Sequence, residues 1–359
     1  MKFEYTFTLS GTVSHVCIQD EVPSINTLIV DHDRRSLLVC DVNTERFARA
    51  VAGDTDAALC VLAAGEAAKN WTSIEAILRS AHSAGLGRDG LFIGVGGGVI
   101  SDMTSFAASV YMRGAAVALV STTLLAMVDA ALGGKTGFDL FDIKNLVGTF
   151  YPASHIYMPV SSLASLPARE WKSGMAELIK TAILDAEDKD GEFLALLASL
   201  DSTHTIKAGD TLVECIARAA RIKGRIVQAD PKETGAERIM LNLGHTFAHA
   251  LESSVGLGQL SHGEAVAWGI ARACDLGLAL GITPPERAAA IMALLRSFDY
   301  ELAAPYPVGN ITLFMNALNS DKKKKAGKVR FVVPSAEGTE LVSGERIEPA
   351  LIARIVGAN

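Results

Sequence analysis

Cysteine is scarce and scattered in this chain. Cys17, Cys40, Cys60, Cys215 and Cys274 are odd in number and form no C-x-x-C pair. That excludes a disulfide framework and fits reduced thiols in a cytosol. Positive charge is not in excess. The net charge is −7, which argues against a general nucleic-acid binder but leaves room for a local basic pocket. The opening MKFEYTFTLS carries Glu4 and lacks an apolar h-region, so no signal peptide is expected and the chain reads as cytoplasmic. No uninterrupted apolar run reaches membrane length. The nearest approach, 114–134, contains Asp129, Ser121, Thr122 and Thr123, and an acid inside a span is costly. A buried strand, a polar turn and a buried helix fit it better, so no membrane partner is expected. Internal repeats and low-complexity tracts are absent too.

Apolar residues are plentiful, 49% against 20% charged, which is enough for a large core. The 359 residues make roughly two domains at about 150 residues each. In the first half, short apolar runs at 36–40, 58–63, 90–95 and 116–120 read as buried strands. Helical spacing appears between them at 74–83 and 102–111, and this alternation predicts a parallel α/β sheet. After Pro167 the pattern turns helical, with candidates at 175–185, 193–200, 211–227, 243–253, 264–280 and 285–298. Lys322 to Lys325 reads as a solvated loop, and 330–334 as a late strand. The expected architecture is an α/β Rossmann-like dinucleotide-binding domain over 1–160 and a mostly α-helical metal- and substrate-binding domain over 161–359. The cleft between the two is the expected site.

Histidine is also scarce, yet three of eight fall in LNLGHTFAHALESSVGLGQLSHGEAV. His245 and His249 are four apart and share a face on a helix. His262 follows, with Glu264 beside it. Such a cluster points to a metal or an acid–base site. A metal needs further ligands, and Glu177 in GMAELIK would complete a His₂Glu set suited to Zn²⁺ with an open position. Taken alone, Glu177 and Lys180 three apart are an ordinary helix ion pair.

The turn Gly94–Gly98 follows a predicted strand and precedes a helix, the place where backbone N–H groups approach a pyrophosphate. It is not a G-x-G-x-x-G, because Val99 takes the last place. Asp41 sits just after the 36–40 strand, where an acid often holds a ribose. Gly65 and Glu66, with Lys69, follow the next strand. Gly133-Gly134-Lys135-Thr136 is not a P-loop, since its first glycine would fall at Asp129.

Taken in order, GGGVISD, YMRG, STTLLAMVDAALGGKT, KNLVGTFY, GMAELIK and LNLGHTFAHALE…HGEAV resemble the 3-dehydroquinate synthases, within the wider sugar-phosphate cyclases, over about 41–334. The resemblance implies a lyase of the shikimate route. It would convert 3-deoxy-D-arabino-heptulosonate 7-phosphate to 3-dehydroquinate and phosphate, with NAD and Zn²⁺ or Co²⁺. It implies metal ligands at Glu177, His245 and His262, with His249 turned to the substrate phosphate rather than to the metal. Further catalytic residues would be Lys135, Lys180, Lys223, Arg238 and Asn242. Substrate would also meet Arg113, Asp129, Asn145 and Lys323. The dinucleotide would lie against Asp41, Gly65, Glu66, Lys69, Gly98, Val99, Ile100, Ser101, Asp102, Thr122, Thr123, Lys135, Lys144, Ser162, Leu163, Ala164 and Ser165. Arg113 resembles a residue that relatives reach across a dimer interface, which implies a homodimer.

The chain departs from that pattern in places. Ile143 and Ser101 replace glycines, Ala248 stands where glycine often precedes the second histidine, and 230–238 is one residue longer. These departures keep other readings open: a cyclase acting on sedoheptulose 7-phosphate or glucose 6-phosphate, a metal-dependent polyol or glycerol-phosphate dehydrogenase, or a non-catalytic homologue.

Overall fold

A computed structural model describes the chain except for residues 1, 29–33, 142, 189–190, 201–208, 236, 257–258, 305, 307–310, 325–328 and 358–359. Side chains at 311, 319–324 and 346 also lie outside the description. The chain divides into two compact units, 1–166 with 207–232, and 167–206 with 233–359.

The first unit is built on a sheet. Its strands are β1 (Phe3–Leu9), β2 (Thr12–Gln19), β3 (Ser36–Asp41), β4 (Ala58–Leu62), β5 (Leu91–Gly96), β6 (Ala116–Ser121), β7 (Lys135–Leu140), β8 (Ile143–Phe150) and β9 (His155–Pro159). Seven of them form one sheet in the order β1-β2-β9-β6-β5-β3-β4, while β7 and β8 make a separate antiparallel hairpin. Only the β1–β2 pair of the large sheet is antiparallel. Every residue of β5 is buried, as are the first five of β3, as expected of parallel strands covered on both faces. The helices of this unit are α1 (Ile25–Leu28), α2 (Glu45–Ala52), α3 (Trp71–Ser83), α4 (Gly98–Val110) and α5 (Leu124–Val128). Ile25, Leu28, Ala48 and Val51 from α1 and α2 close one face of the core over Leu38, Ile93, Val95 and Val120.

The second unit begins with α6 (Ala168–Ile183) and α7 (Glu192–Ala198). The next helix, α8 (Asp210–Ala229), belongs to the first unit, so the division differs from a single cut near residue 160. The reason lies on β1, where alternate residues Tyr5, Phe7 and Leu9 need an apolar cover. Gly224 of α8 meets it: a Cβ there would be 3.3 Å from the Phe7 ring, and Gln228 Oε1 accepts the Thr8 N–H at 2.8 Å. The second unit continues with α9 (His245–Val255), α10 (His262–Ala279), α11 (Pro285–Ser297), α12 (Ile311–Lys324), the hairpin β10 (Arg330–Pro334) and β11 (Thr339–Ser343), and α13 (Pro349–Ile355). Phe247, Trp268, Phe314, Phe331, Val333 and Ile352 anchor its core. Lys322 to Lys324, expected in a loop, are the last turn of α12. Phe314 and Leu318, four apart and buried, set a helix face upstream, and the helical backbone runs on through the lysines. Among the described residues no helix is long and apolar enough to cross a membrane, and 114–134 forms β6, α5 and a 3₁₀ turn.

Candidate functional site

Three helices of the second unit bring Glu177, His245 and His262 together, with one ligand atom from each lying within 4.8 Å of the others. Glu177 is in the middle of α6, while the two histidines open α9 and α10. Glycines set this convergence. Gly244 enters α9 with φ of 79°, and a Cβ on it would stand 2.8 Å from the Ile270 nitrogen. A Cβ on Gly269 would be 2.2 Å from the Gly244 oxygen, and one on Gly263 would be 2.4 Å from Ser173 Cα. So α10 lies backbone-close to both α9 and α6, and only glycine permits it. A capping box fixes where α10 begins: Ser261 Oγ accepts the Glu264 N–H at 3.3 Å, and Glu264 Oε2 accepts the Ser261 N–H at 2.8 Å. Glu264, next to His262 in sequence, therefore caps a helix, and the ligand atoms that converge are those of Glu177, His245 and His262.

Both imidazoles present Nε2 to the same oxygen. His245 Nε2 lies 3.5 Å and His262 Nε2 3.4 Å from Glu177 Oε1. Their far edges are also held, His245 Nδ1 at 3.2 Å from the Leu243 carbonyl and His262 Nδ1 at 3.2 Å from Glu252 Oε1. Lys180, 2% exposed, pairs with the other oxygen of Glu177, itself 1% exposed. Burial pushes the Glu177 carboxyl up, but Lys180 and the two histidines outweigh it and hold the group well below the usual carboxylate range. Burial, then Lys180, pushes the His245 imidazole down to about 3. Burial also pulls on His262, yet the carboxylates of Glu177 and Glu252 raise it to about 10. Neither Glu177 oxygen makes a well-formed hydrogen bond. A buried carboxylate left so, facing two ring nitrogens, is a donor set that a divalent cation completes.

His249, one turn beyond His245, is exposed, and the two rings meet edge to face at 5.5 Å. Arg238 is buried in the 3₁₀ turn that leads to α9. Asn242 ends that turn, its amide nitrogen 3.5 Å from Glu233 Oε1. The Lys323 side chain lies outside the described residues.

In the first unit the residues expected to hold a dinucleotide gather at the carboxyl ends of parallel strands, where ligands of such sheets bind. Asp41 ends β3, and its Oδ1 accepts the N–H groups of Asn43 and Thr44 at 2.9 and 3.0 Å. Gly65, with φ of 92°, and the exposed Glu66 follow β4, and Lys144 Nζ lies 3.7 Å from Glu66. Gly98 to Asp102 form the first turn of α4 after β5. Two glycines of β5 are there for packing against this helix: a Cβ on Gly96 would be 2.8 Å from Ile100 Cβ, and one on Gly94 3.0 Å from Thr104. Gly98 starts the helix, and the first N–H groups of a helix have no carbonyl partner within it. Thr122 follows β6 and has a buried hydroxyl with no partner, and Thr123 caps α5. Ser162, Leu163, Ala164 and Ser165 form the turn after β9, where Ser162 Oγ donates to the Thr122 carbonyl at 3.3 Å.

Lys69 joins this region to the β7–β8 hairpin. Its buried Nζ donates to Asp102 Oδ2 at 2.6 Å and to Asn145 Oδ1 at 2.5 Å. Burial pushes the Asp102 carboxyl up to about 6, against the pull of Lys69. Asn145 sits at φ of 52°, with its N–H donating to Asp139 Oδ1 at 2.7 Å. Lys135 is exposed at the start of β7. Lys223 on α8 pairs with Asp129, so two residues expected at the substrate meet within this unit. Arg113 is exposed in a turn where Met112, Arg113 and Gly114 all have positive φ. Sequence reasoning did not single out Glu252, Asp139, Gly244, Gly263 or Gly269. The dense glycines flanking His245 and His262 were the available signal for the last three.

A dinucleotide-type parallel sheet and a helical unit carrying a buried His₂Glu set define a metal- and nucleotide-dependent enzyme class. The 3-dehydroquinate synthase N-terminal family matches residues 59–173, and the 3-dehydroquinate synthase C-terminal family matches 174–324. The chain belongs to the 3-dehydroquinate synthase family. A 3-dehydroquinate synthase of Colwellia psychrerythraea is 41% identical over 280 residues, 77% of each chain. The solved 2-epi-5-epi-valiolone synthase ValA of Streptomyces hygroscopicus, with NAD⁺ and Zn²⁺ bound, superposes with a TM-score of 0.82 at 26% identity, covering 95% of this chain and 94% of that one. A 2-deoxy-scyllo-inosose synthase, complexed with carbaglucose-6-phosphate, NAD⁺ and Co²⁺, shares the fold at a TM-score of 0.84 and 21% identity, covering 99% of both chains.

Proposed function

We propose that this chain is a 3-dehydroquinate synthase, converting 3-deoxy-D-arabino-heptulosonate 7-phosphate to 3-dehydroquinate and phosphate. The observation that carries the reading is the buried Glu177–His245–His262 set, in a chain 41% identical to a 3-dehydroquinate synthase over 77% of its length. When bound, NAD⁺ supplies a hydride acceptor restored within the turnover, and Zn²⁺ or Co²⁺ acidifies the hydroxyl that is oxidised.

The chain's own residues do the rest. Glu177, His245 and His262 hold the metal. Asp41, Gly65, Glu66, Lys69, Gly98 to Asp102, Thr122, Thr123, Lys135, Lys144 and Ser162 to Ser165 hold the dinucleotide. The unpartnered Thr122 hydroxyl and the N-terminus of α4 support that assignment. Lys180, Lys223, Arg238 and Lys323 meet the carboxylate and phosphate charges. Asp129, Asn145 and Asn242 orient the hydroxyls, and Lys135 serves the substrate as well. His249 is assigned to the phosphate end, where it accepts the proton released as phosphate departs. Arg113 is assigned to the site of a second copy. Exposed apolar side chains, Val110 and Met112 near it in sequence and Leu146 and Phe150 on β8, support a homodimer, since exposed apolar surface marks association.

Kinetics on three substrates test the reading. The heptulosonate phosphate should release phosphate, while sedoheptulose 7-phosphate and glucose 6-phosphate should not. Preference for either of the latter would place the chain with other cyclases.

A further inference from the structure

We infer that Glu252 is a positioning residue for the metal centre, fixing the tautomer and the ring orientation of His262. The inference rests on the metal reading above. Glu252 Oε1 lies 3.2 Å from His262 Nδ1, whereas Glu177 lies against Nε2, across the ring. An ion at the Glu177 side is therefore out of reach of Glu252, which can act only through the imidazole. A carboxylate accepting the Nδ1 proton leaves Nε2 as the lone-pair donor and makes it a stronger one.

The backbone places Glu252 for this task. It lies seven residues after His245 on α9, and so on the same face two turns along. One helix thus supplies a ligand at its start and a brace for the ligand that opens α10. The two ligands are braced differently: His245 Nδ1 meets the Leu243 carbonyl, a neutral acceptor, while His262 Nδ1 meets a charged one. His262 is also the more exposed ring, at 36% against 14%. It has less packing to hold it and depends more on its brace. The competing explanation, a half-exposed ion pair of no consequence, predicts little effect on any observable.

The test is Zn²⁺ affinity by competition with a chromophoric chelator, on the intact chain and on Glu252→Gln, Glu252→Ala and His262→Ala. Glu252→Ala should weaken Zn²⁺ binding by about 10–100-fold. Glu252→Gln keeps an acceptor for Nδ1–H without the charge, and should recover most of that loss. In the Co²⁺-loaded protein, the visible bands should shift in Glu252→Ala and less in Glu252→Gln. NAD⁺ affinity and thermal midpoint should stay near those of the parent. Affinity in Glu252→Ala within about twofold of the parent, while His262→Ala loses the metal, overturns the role of Glu252 and leaves the metal reading standing. A parent chain that binds no Zn²⁺ overturns both.

Discussion

Metal uptake should release one proton, and His262 is its source. In the metal-free chain this imidazole stands 3.4 Å from Glu177 and 3.2 Å from Glu252, and despite burial it is raised to about 10. It is therefore imidazolium at neutral pH. Burial and Lys180 hold His245 down at about 3, so it has no proton to give, and Glu177 is ionised throughout. Metal ligands must be deprotonated, so only the His262 proton competes with the ion. The sign follows from a raised value: below about 10 the protonated form dominates, and each unit of falling pH costs about tenfold in affinity. Affinity should climb with unit slope up to that value and then level. Isothermal titration of the metal-free protein with Zn²⁺ at pH 7, in buffers of different ionisation enthalpy, counts the protons. The expected count is about one. A count near zero would show that His262 is neutral without metal, and a count near two would show that His245 is charged as well. Either result refutes this electrostatic account.

Other perturbations separate the parts of the site. His262→Ala should abolish turnover and strip the metal while NAD⁺ affinity is kept; an unchanged metal content would refute the ligand assignment. Gly263→Ala places a Cβ 2.4 Å from Ser173 Cα and should cost about 1–3 kcal/mol of stability by overpacking, seen as a lower thermal midpoint together with weaker metal binding. Asp139→Ala frees the Asn145 N–H from its acceptor and should raise the KM for substrate several-fold, whereas Asp139→Asn, which can still accept, should restore it; equal kinetics in both variants would show the contact to be idle. Leu146→Glu with Phe150→Glu should yield monomers by sedimentation equilibrium, and an unaffected dimer would place the interface elsewhere.

The sequence showed most where a segment's neighbours are implied by its own pattern. Apolar runs at 36–40, 90–95 and 116–120 have to be buried on both faces, and β3, β5 and β6 form there. The hairpin β7–β8 was hidden, because Gly133-Gly134-Lys135-Thr136 reads as a loop motif and β8 is mostly exposed, with no alternation to betray a strand. β1 and β2 were hidden for a related reason: β1 is the edge strand of the sheet, and both strands leave alternate side chains exposed rather than forming a continuous apolar run. Helix α8 was legible as a helix, but its apolar face does not say which core it joins, and that decision belongs to Tyr5, Phe7 and Leu9 on the far side of the chain.

The histidines followed the same logic. Spacing along α9 pairs His245 with His249, whereas the fold gathers His245, His262 and Glu177 from three helices. Periodicity on one helix carries no information about a ligand supplied by another. That information was held by the order of motifs along the chain, and in physical terms by the glycines that let α10 approach α9 and α6.

The most direct test follows phosphate and NADH together while the Zn²⁺-loaded chain acts on 3-deoxy-D-arabino-heptulosonate 7-phosphate with NAD⁺. The account predicts phosphate released in step with 3-dehydroquinate and no net NADH. Steady accumulation of NADH would mark a dehydrogenase, and the absence of phosphate release would contradict the proposed activity outright.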